Sequence, residues 1–297
     1  MKKLKPIMRN KIIDQIHLEM KKDDSIFFLT ADMGINLVEK IQNDYPDRFL
    51  NVGIAEQNLI GVASGLINAG FKVVAYTISN FLVHRCFEQL RNDISLHKKP
   101  ILLIGTSCGF DNAPLGPTHH IIDDWGIIKN LPGFNIYCPS NISYCDNLFS
   151  KLINSKELIY LRIPKGRFDR INQNTDYQFL ETKSENIFIT YGSLAEELYP
   201  LFEKFDQSIL VFNKLHPIEG KIIKILEKFS NVYIVEDHFY TNGLYDSICQ
   251  LIVNLDVKFK INSLSPRDYD LKVGVNNKYF FKLNKLDLES LKLLIKN

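Results

Sequence analysis

No run in the 297-residue sequence approaches the roughly 20 apolar residues that cross a bilayer, which excludes a helical membrane span. The N-terminal stretch MKKLKPIMRNKIIDQIHLEMKKDD is charged too often to hold the apolar core of a signal peptide. Charge of one sign is not in excess either: 36 Lys+Arg face 34 Asp+Glu, a formal net charge of +2. That balance calls for no nucleic-acid or membrane-surface partner. Five cysteines, at positions 86, 108, 138, 145 and 249, form no CxxC pair and have no close set of histidines. They read as reduced thiols, not as a disulfide framework or zinc site, and a soluble, cytoplasmic protein is expected. No P-loop pattern GxxxxGK[ST] occurs, and the first strand runs into TADMGINL, where a dinucleotide fingerprint GxGxxG would be needed. A nucleotide site of either kind is not expected.

What is present is an alternation of strands and helices. Residues 7–22 carry Ile12, Ile13, Ile16 and Met20 at helical spacing, and SIFFLTAD (25–32) is a short apolar run ending in a polar loop. Then come a helix over 56–69, a strand at FKVVAYT (71–77), a helix over 87–99, and a strand at PILLIGTS (100–107). A Gly/Pro-rich loop at 109–118 follows, then strands at GFNIYCPS and ELIYLRIP around a helix at 141–154. Residues 165–185 are polar and without a lasting apolar period, as in a linker. A second set follows: NIFITYGS, a helix near 194–205, SILVFNKLHPIE, a helix near 219–228, NVYIVEDHF, a helix near 243–254, and an amphipathic helix in LDLESLKLLIKN. Such alternation predicts an α/β protein of two doubly wound domains with mainly parallel sheets. The domains are expected at 1–167 and 186–297, joined by a linker at 168–185.

One carboxylate sits oddly. FLNVGIAEQNLIGVASGLINAG (49–70) is apolar and glycine-studded, yet carries Glu56 in its midst. A buried carboxylate without a partner is costly and tends to take up a proton. Either Glu56 merely starts a helix, where the dipole favours it, or its protonation is the purpose of the segment.

The segment VGIAEQNLIGVASGLINAGFKVVAYTISNF resembles the pyrimidine-binding domain of the transketolase family of thiamine-diphosphate enzymes. The likeness continues in the family's order through FEQLRNDI, KKPILLIGT, LGPTHH, LPGFNIYCPSN and IYLRIPKG, with LTADMG upstream where the family has an Ala-Asp pair. FITYGS, VFNKLHPIE and VEDHFYTNGL look like the family's C-terminal domain.

The resemblance implies thiamine diphosphate as cofactor and gives Glu56 a role. The family removes the proton on C2 of the thiazolium with the cofactor's own 4′-amino group, once that group has become an imine. That change needs a carboxyl hydrogen-bonded to N1′ of the pyrimidine, here Glu56, in a dry site. By the same resemblance Phe81 stacks on the pyrimidine, with Tyr76 a lesser candidate for that pocket, and Asp32 lies near the cofactor. His119, the first histidine of GPTHH, would point at the reacting carbon and move protons on the substrate. Arg162 in YLRIPKG would reach an anionic substrate group, or make a salt bridge instead. His120 is expected to be structural, and His84 is left without a role.

Two departures from the family pattern bear on substrate and assembly. Transketolases usually carry Asp before the glycine of G-[PQ]-T-H and a further histidine upstream; this chain has Leu115 and Ser107 there. Leu cannot accept a hydrogen bond from a substrate hydroxyl, so a non-standard sugar is expected. The family binds the diphosphate and Mg²⁺ through a domain carrying G-D-G, and this sequence contains none. The resemblance therefore implies the C-terminal (β) subunit of a split transketolase. An N-terminal subunit would hold Mg²⁺ and the diphosphate in an α₂β₂ assembly, across an apolar contact face. The activity implied is transfer of a two-carbon ketol unit from a ketose to an aldose. The alternatives are a deoxyxylulose-phosphate-synthase-like condensation, a 2-oxoacid dehydrogenase E1 β subunit, and a non-catalytic scaffold subunit.

Overall fold

The computed structural model describes residues 7–166 and 175–295. Strands β1 (Ile26–Thr30), β2 (Phe49–Asn51), β3 (Lys72–Ile78), β4 (Ile101–Thr106), β5 (Phe134–Tyr137) and β6 (Leu158–Ile163) lie in the first half. The second half contributes β7 (Tyr177–Leu180), β8 (Asn186–Tyr191), β9 (Ser208–Phe212), β10 (Lys214–His216), β11 (Asn231–Val235) and β12 (Lys260–Leu264). They form a seven-stranded sheet in the order β10-β5-β6-β4-β3-β1-β2 and a five-stranded sheet in the order β12-β11-β8-β9-β7. Every pairing is parallel except those of the edge strands β10 with β5 and β7 with β9. Central strands β4 and β6 are buried throughout, as expected of parallel strands covered by helices on both faces. No helix among the described residues is long and apolar enough to cross a membrane.

Each face of the first sheet is closed by an amphipathic helix. The Met8–Lys22 helix turns Ile12, Ile13, Ile16 and Met20 inward and packs beside the Ile142–Ile153 helix. Leu59, Ile60 and Ala63 of the Glu56–Asn68 helix enter a second core on the opposite face. That core is continuous with residues of the five-stranded sheet: Trp125 Nε1 donates to the Tyr191 hydroxyl at 3.1 Å, both side chains buried.

Register fixes where the site can form. Thr30 pairs with Asn51 and Tyr76, Ile78 with Thr106, and Thr106 with Ile163. The carboxyl ends of β1, β2, β3, β4 and β6 therefore meet at one rim, the edge where parallel α/β sheets take their ligands.

Three expectations are corrected. SILVFNKLHPIE is not one strand: β9 belongs to the five-stranded sheet, and β10 crosses to the edge of the seven-stranded one. Asn213 sits at the break, accepting from Ser140 N and Oγ and donating to Thr175 O, so its side chain holds the corner. The helix expected over 87–99 starts earlier and is wider, with π-helical turns at Phe81–Arg85 and Leu90–Ser95 around a short α segment. The linker expected at 168–185 lies partly outside the described residues, and its later portion forms β7, paired with β9.

Candidate active site

Glu56 is the first residue of its helix, reached through a tight turn at Gly53 (φ +75°), where Ala55 N donates to Gly53 O at 2.8 Å. Its side chain is only 4% exposed. It is not alone. Arg85 Nη1 donates to Glu56 Oε2 at 2.8 Å, and the Arg85 guanidinium carbon lies 3.9 Å from the centroid of the Phe81 ring. A buried carboxylate is thus met by a planar cation stacked on an aromatic face.

Phe81 follows β3 and begins the Phe81–Arg85 turn, where π geometry sets Arg85 above the ring. Such turns inside helices are frequent at functional sites. The ring of His119 meets Phe81 edge-on, with centroids 5.4 Å apart. His119 is held in a shaped loop. Its N–H and that of His120 both donate to Gly116 O, at 3.0 and 3.1 Å, while Asn80 Nδ2 donates to His120 O at 2.9 Å. Gly116 has φ +77°, and a Cβ there would stand 2.5 Å from Val273 Cγ1, so glycine is required on both counts. His119 Nδ1 is hydrogen-bonded to Thr118 Oγ1 at 2.9 Å, which leaves Nε2 for a ligand.

Glu56, Phe81 and His119 thus come together, Glu56 and Phe81 through Arg85 and Phe81 with His119 directly. Asp32 stands exposed at the end of β1 with φ +47°, its N–H donating to Asn51 Oδ1, which also accepts from Gly53 N in the turn before Glu56. Leu115 is 55% exposed on the loop that carries His119.

Three other sequence-predicted residues lie elsewhere. Tyr76 is fully buried in the core beside Phe28 and Val38, and burial pushes its hydroxyl up to about 12; it belongs to the packing rather than to the pocket. Ser107 is buried at φ +61° and lines a cavity of about 290 Å³ with Ile7, Arg9, Thr106, Ile163 and Lys165, whose wall contains none of Glu56, Phe81 or His119. Arg162 is 1% exposed and committed to protein partners. Its Nε donates to both Asp124 oxygens at 2.9 and 3.2 Å, and its Nη2 to Asp237 Oδ1 at 3.3 Å. It has no face left for a substrate anion. Asp237 follows β11, so this network ties the two sheets together.

Arg85 was not singled out from the sequence. Its position four residues after Phe81 on one helical segment is the signal that could have found it. His84, left without a role, pairs through Nε2 with Asp123 Oδ1 at 3.0 Å, and Asp123 Oδ2 accepts from the Tyr269 hydroxyl at 2.9 Å. The hydrogen bond to Asp123 holds the imidazole above its ordinary range despite partial burial.

His120 meets the stacked rings of Phe110 and Phe280 edge-on, 5.3 Å from each between centroids, and neither ring nitrogen has a hydrogen-bond partner. Burial lowers it to about 4, so the imidazole is neutral in the fold. The unfolded chain takes up this proton first, so stability is present above the ordinary histidine pKa and is lost as pH falls toward the folded value. The full loss is on the order of 3 kcal/mol, of which about 2 kcal/mol falls between pH 7 and pH 5. Urea midpoints at about pH 7 and about pH 5 check it: the drop should be smaller in His120→Phe than in the native chain, and equal drops would contradict it.

A buried carboxylate, an aromatic face and a histidine meet at the carboxyl rim of a parallel sheet, the edge where α/β proteins take their ligands. Sequence similarity narrows the lineage further. Residues 5–169 match the family described as "Transketolase, pyrimidine binding domain", and the chain belongs to that family. It is 26% identical over 238 residues to one of the subunits of the apulose-4-phosphate transketolase of Phocaeicola vulgatus, covering 75% of this chain and 76% of that protein. It is also 26% identical over 271 residues to the putative transketolase C-terminal section of Methanocaldococcus jannaschii, covering 86% and 82%. A solved structure described as "Split gene transketolase, inactive beta4 tetramer" superposes with a TM-score of 0.81 at 20% identity, covering 96% of this chain and 95% of that one.

Proposed function

We propose that this chain is the C-terminal subunit of a split, thiamine-diphosphate-dependent transketolase-like transferase, moving a two-carbon ketol unit between a ketose and an aldose. The observation that carries the reading is the buried Glu56 carboxylate hydrogen-bonded to a flat donor that lies on Phe81, with His119 at the ring's edge. The residues fit the cofactor's aminopyrimidine: Glu56 for a ring N–H, Phe81 for the ring face. When bound, thiamine diphosphate supplies the electron sink that a ketol transfer needs.

This chain's own residues do the rest. Glu56 holds a proton at the pyrimidine N1′, in a setting dry enough for the hydrogen bond to govern tautomer choice. Phe81 fixes the ring plane. His119, with Nδ1 tied to Thr118, offers Nε2 for proton exchange with substrate hydroxyls. Leu115 offers no hydrogen bond where the family's usual aspartate would, which favours a sugar other than the standard pentose phosphates. Ketol-transfer assays with xylulose 5-phosphate as donor should therefore run well below ordinary transketolase rates; ordinary rates would contradict this part of the reading.

Mg²⁺ and the diphosphate fall to an N-terminal subunit in an α₂β₂ complex, and the protein works in the cytoplasm. Two facts support the partner. Ile35 and Ile54, three residues after Asp32 and two before Glu56, are 79% and 77% exposed, apolar side chains of the kind a second chain would cover. A split-gene transketolase of the same fold is described as inactive when it is a β4 tetramer. The test is to isolate the protein from its native cells and identify what accompanies it. A stoichiometric chain carrying a G-D-G motif is the expected result; none, with no thiamine diphosphate bound, would favour the scaffold alternative.

A further inference from the structure

We propose that Arg85 is a cofactor-site residue whose guanidinium holds the place of the cofactor's aminopyrimidine ring and is displaced when the cofactor binds. The proposal rests on the reading of Glu56 and Phe81 as the pyrimidine site. A guanidinium is flat and carries its N–H donors in the plane, and a protonated aminopyrimidine presents the same two features. Arg85 uses both. One N–H reaches Glu56 Oε2 at 2.8 Å, and the plane's central carbon sits 3.9 Å from the Phe81 centroid. A ring that donates to Glu56 while stacking on the side of Phe81 that faces it must occupy the volume Arg85 fills, so the two are mutually exclusive.

The burial of the partners shows which one moves. The Glu56 side chain is 4% exposed and anchored at a helix start, whereas the Arg85 side chain is 47% exposed. A long, half-exposed side chain can swing into water with little loss, because exposed ion pairs are weak. Without Arg85, the cofactor-free chain would bury the Glu56 carboxylate without the hydrogen bond it now receives, which is costly. Arg85 thus keeps the Glu56 carboxylate partnered in the empty site, and its competition lowers the apparent affinity for the cofactor.

The test is calorimetric titration of thiamine diphosphate with excess Mg²⁺ into the assembled enzyme carrying native chain, Arg85→Ala or Arg85→Lys. Removing a competitor worth an exposed pair should lower the Kd about fivefold in Arg85→Ala. Arg85→Lys keeps the charge but not the flat fork and should fall between the two. An unchanged Kd in Arg85→Ala overturns the proposal. A higher Kd does the same, since it would make Arg85 a direct ligand of the cofactor. Absence of binding in the native assembly and both variants is a different failure: it overturns the site reading itself.

Discussion

Replacing Glu56 with Gln lowers turnover of the assembled enzyme by about 10²- to 10⁴-fold while leaving the fold and the assembly intact. The isosteric amide fills the same space and can still meet Arg85 through its carbonyl oxygen, so packing around the helix start is retained. It cannot hold the proton that a carboxyl shares with a ring nitrogen. The check is steady-state kinetics beside gel filtration and circular dichroism. Full activity in Glu56→Gln would leave the carboxylate as a helix-start residue and no more.

Replacing Arg162 with Met destabilises the chain by about 3–5 kcal/mol, because it strands two buried aspartates. Asp124 and Asp237 are 0% and 2% exposed and both depend on the one guanidinium. Asp124 keeps the Tyr160 hydroxyl, at 2.7 Å, as a second donor, so the larger part of the loss should come from Asp237 and the join between the sheets. Arg162→Lys keeps the charge but cannot bridge both acids, and should lose an intermediate amount. Denaturant midpoints decide this. A native midpoint with a raised KM for an anionic sugar would instead make Arg162 a substrate contact.

The sequence revealed those parts of the fold that repeat over several residues. Buried parallel strands such as β4 are continuous apolar runs, and the Met8–Lys22 helix shows its inward stripe, so two layered α/β units could be read directly. The move from β9 to β10 has no periodic signature, because β10 is only three residues long and carries one apolar side chain, Leu215, too few to show a pattern of its own. Short β2 and the π-helical turns are set by neighbours rather than by local pattern, and neither could be foreseen.

The site divides the same way. Glu56, Phe81 and His119 could be singled out because each stands in a distinctive segment, and the fold places them near one another. Arg162 was misassigned because its partners lie 38 and 75 residues away, and distance in sequence hides burial. Tyr76 was ambiguous for the same reason: an aromatic at a strand's end points to core or pocket according to the pleat and what covers it. Arg85 was missed because an arginine on a helix is by default a solvated residue, and only the geometry sets it between an acid and a ring.

The central claim is that this chain supplies one half of a thiamine-diphosphate site. Titration of thiamine diphosphate and Mg²⁺ into the chain alone, and into the chain with the proposed G-D-G partner, tests it most directly. The expected result is tight, stoichiometric binding by the pair, weakened when Glu56 is Gln, and no tight binding by the chain alone. Tight binding by the isolated chain, or none by the pair, would contradict it.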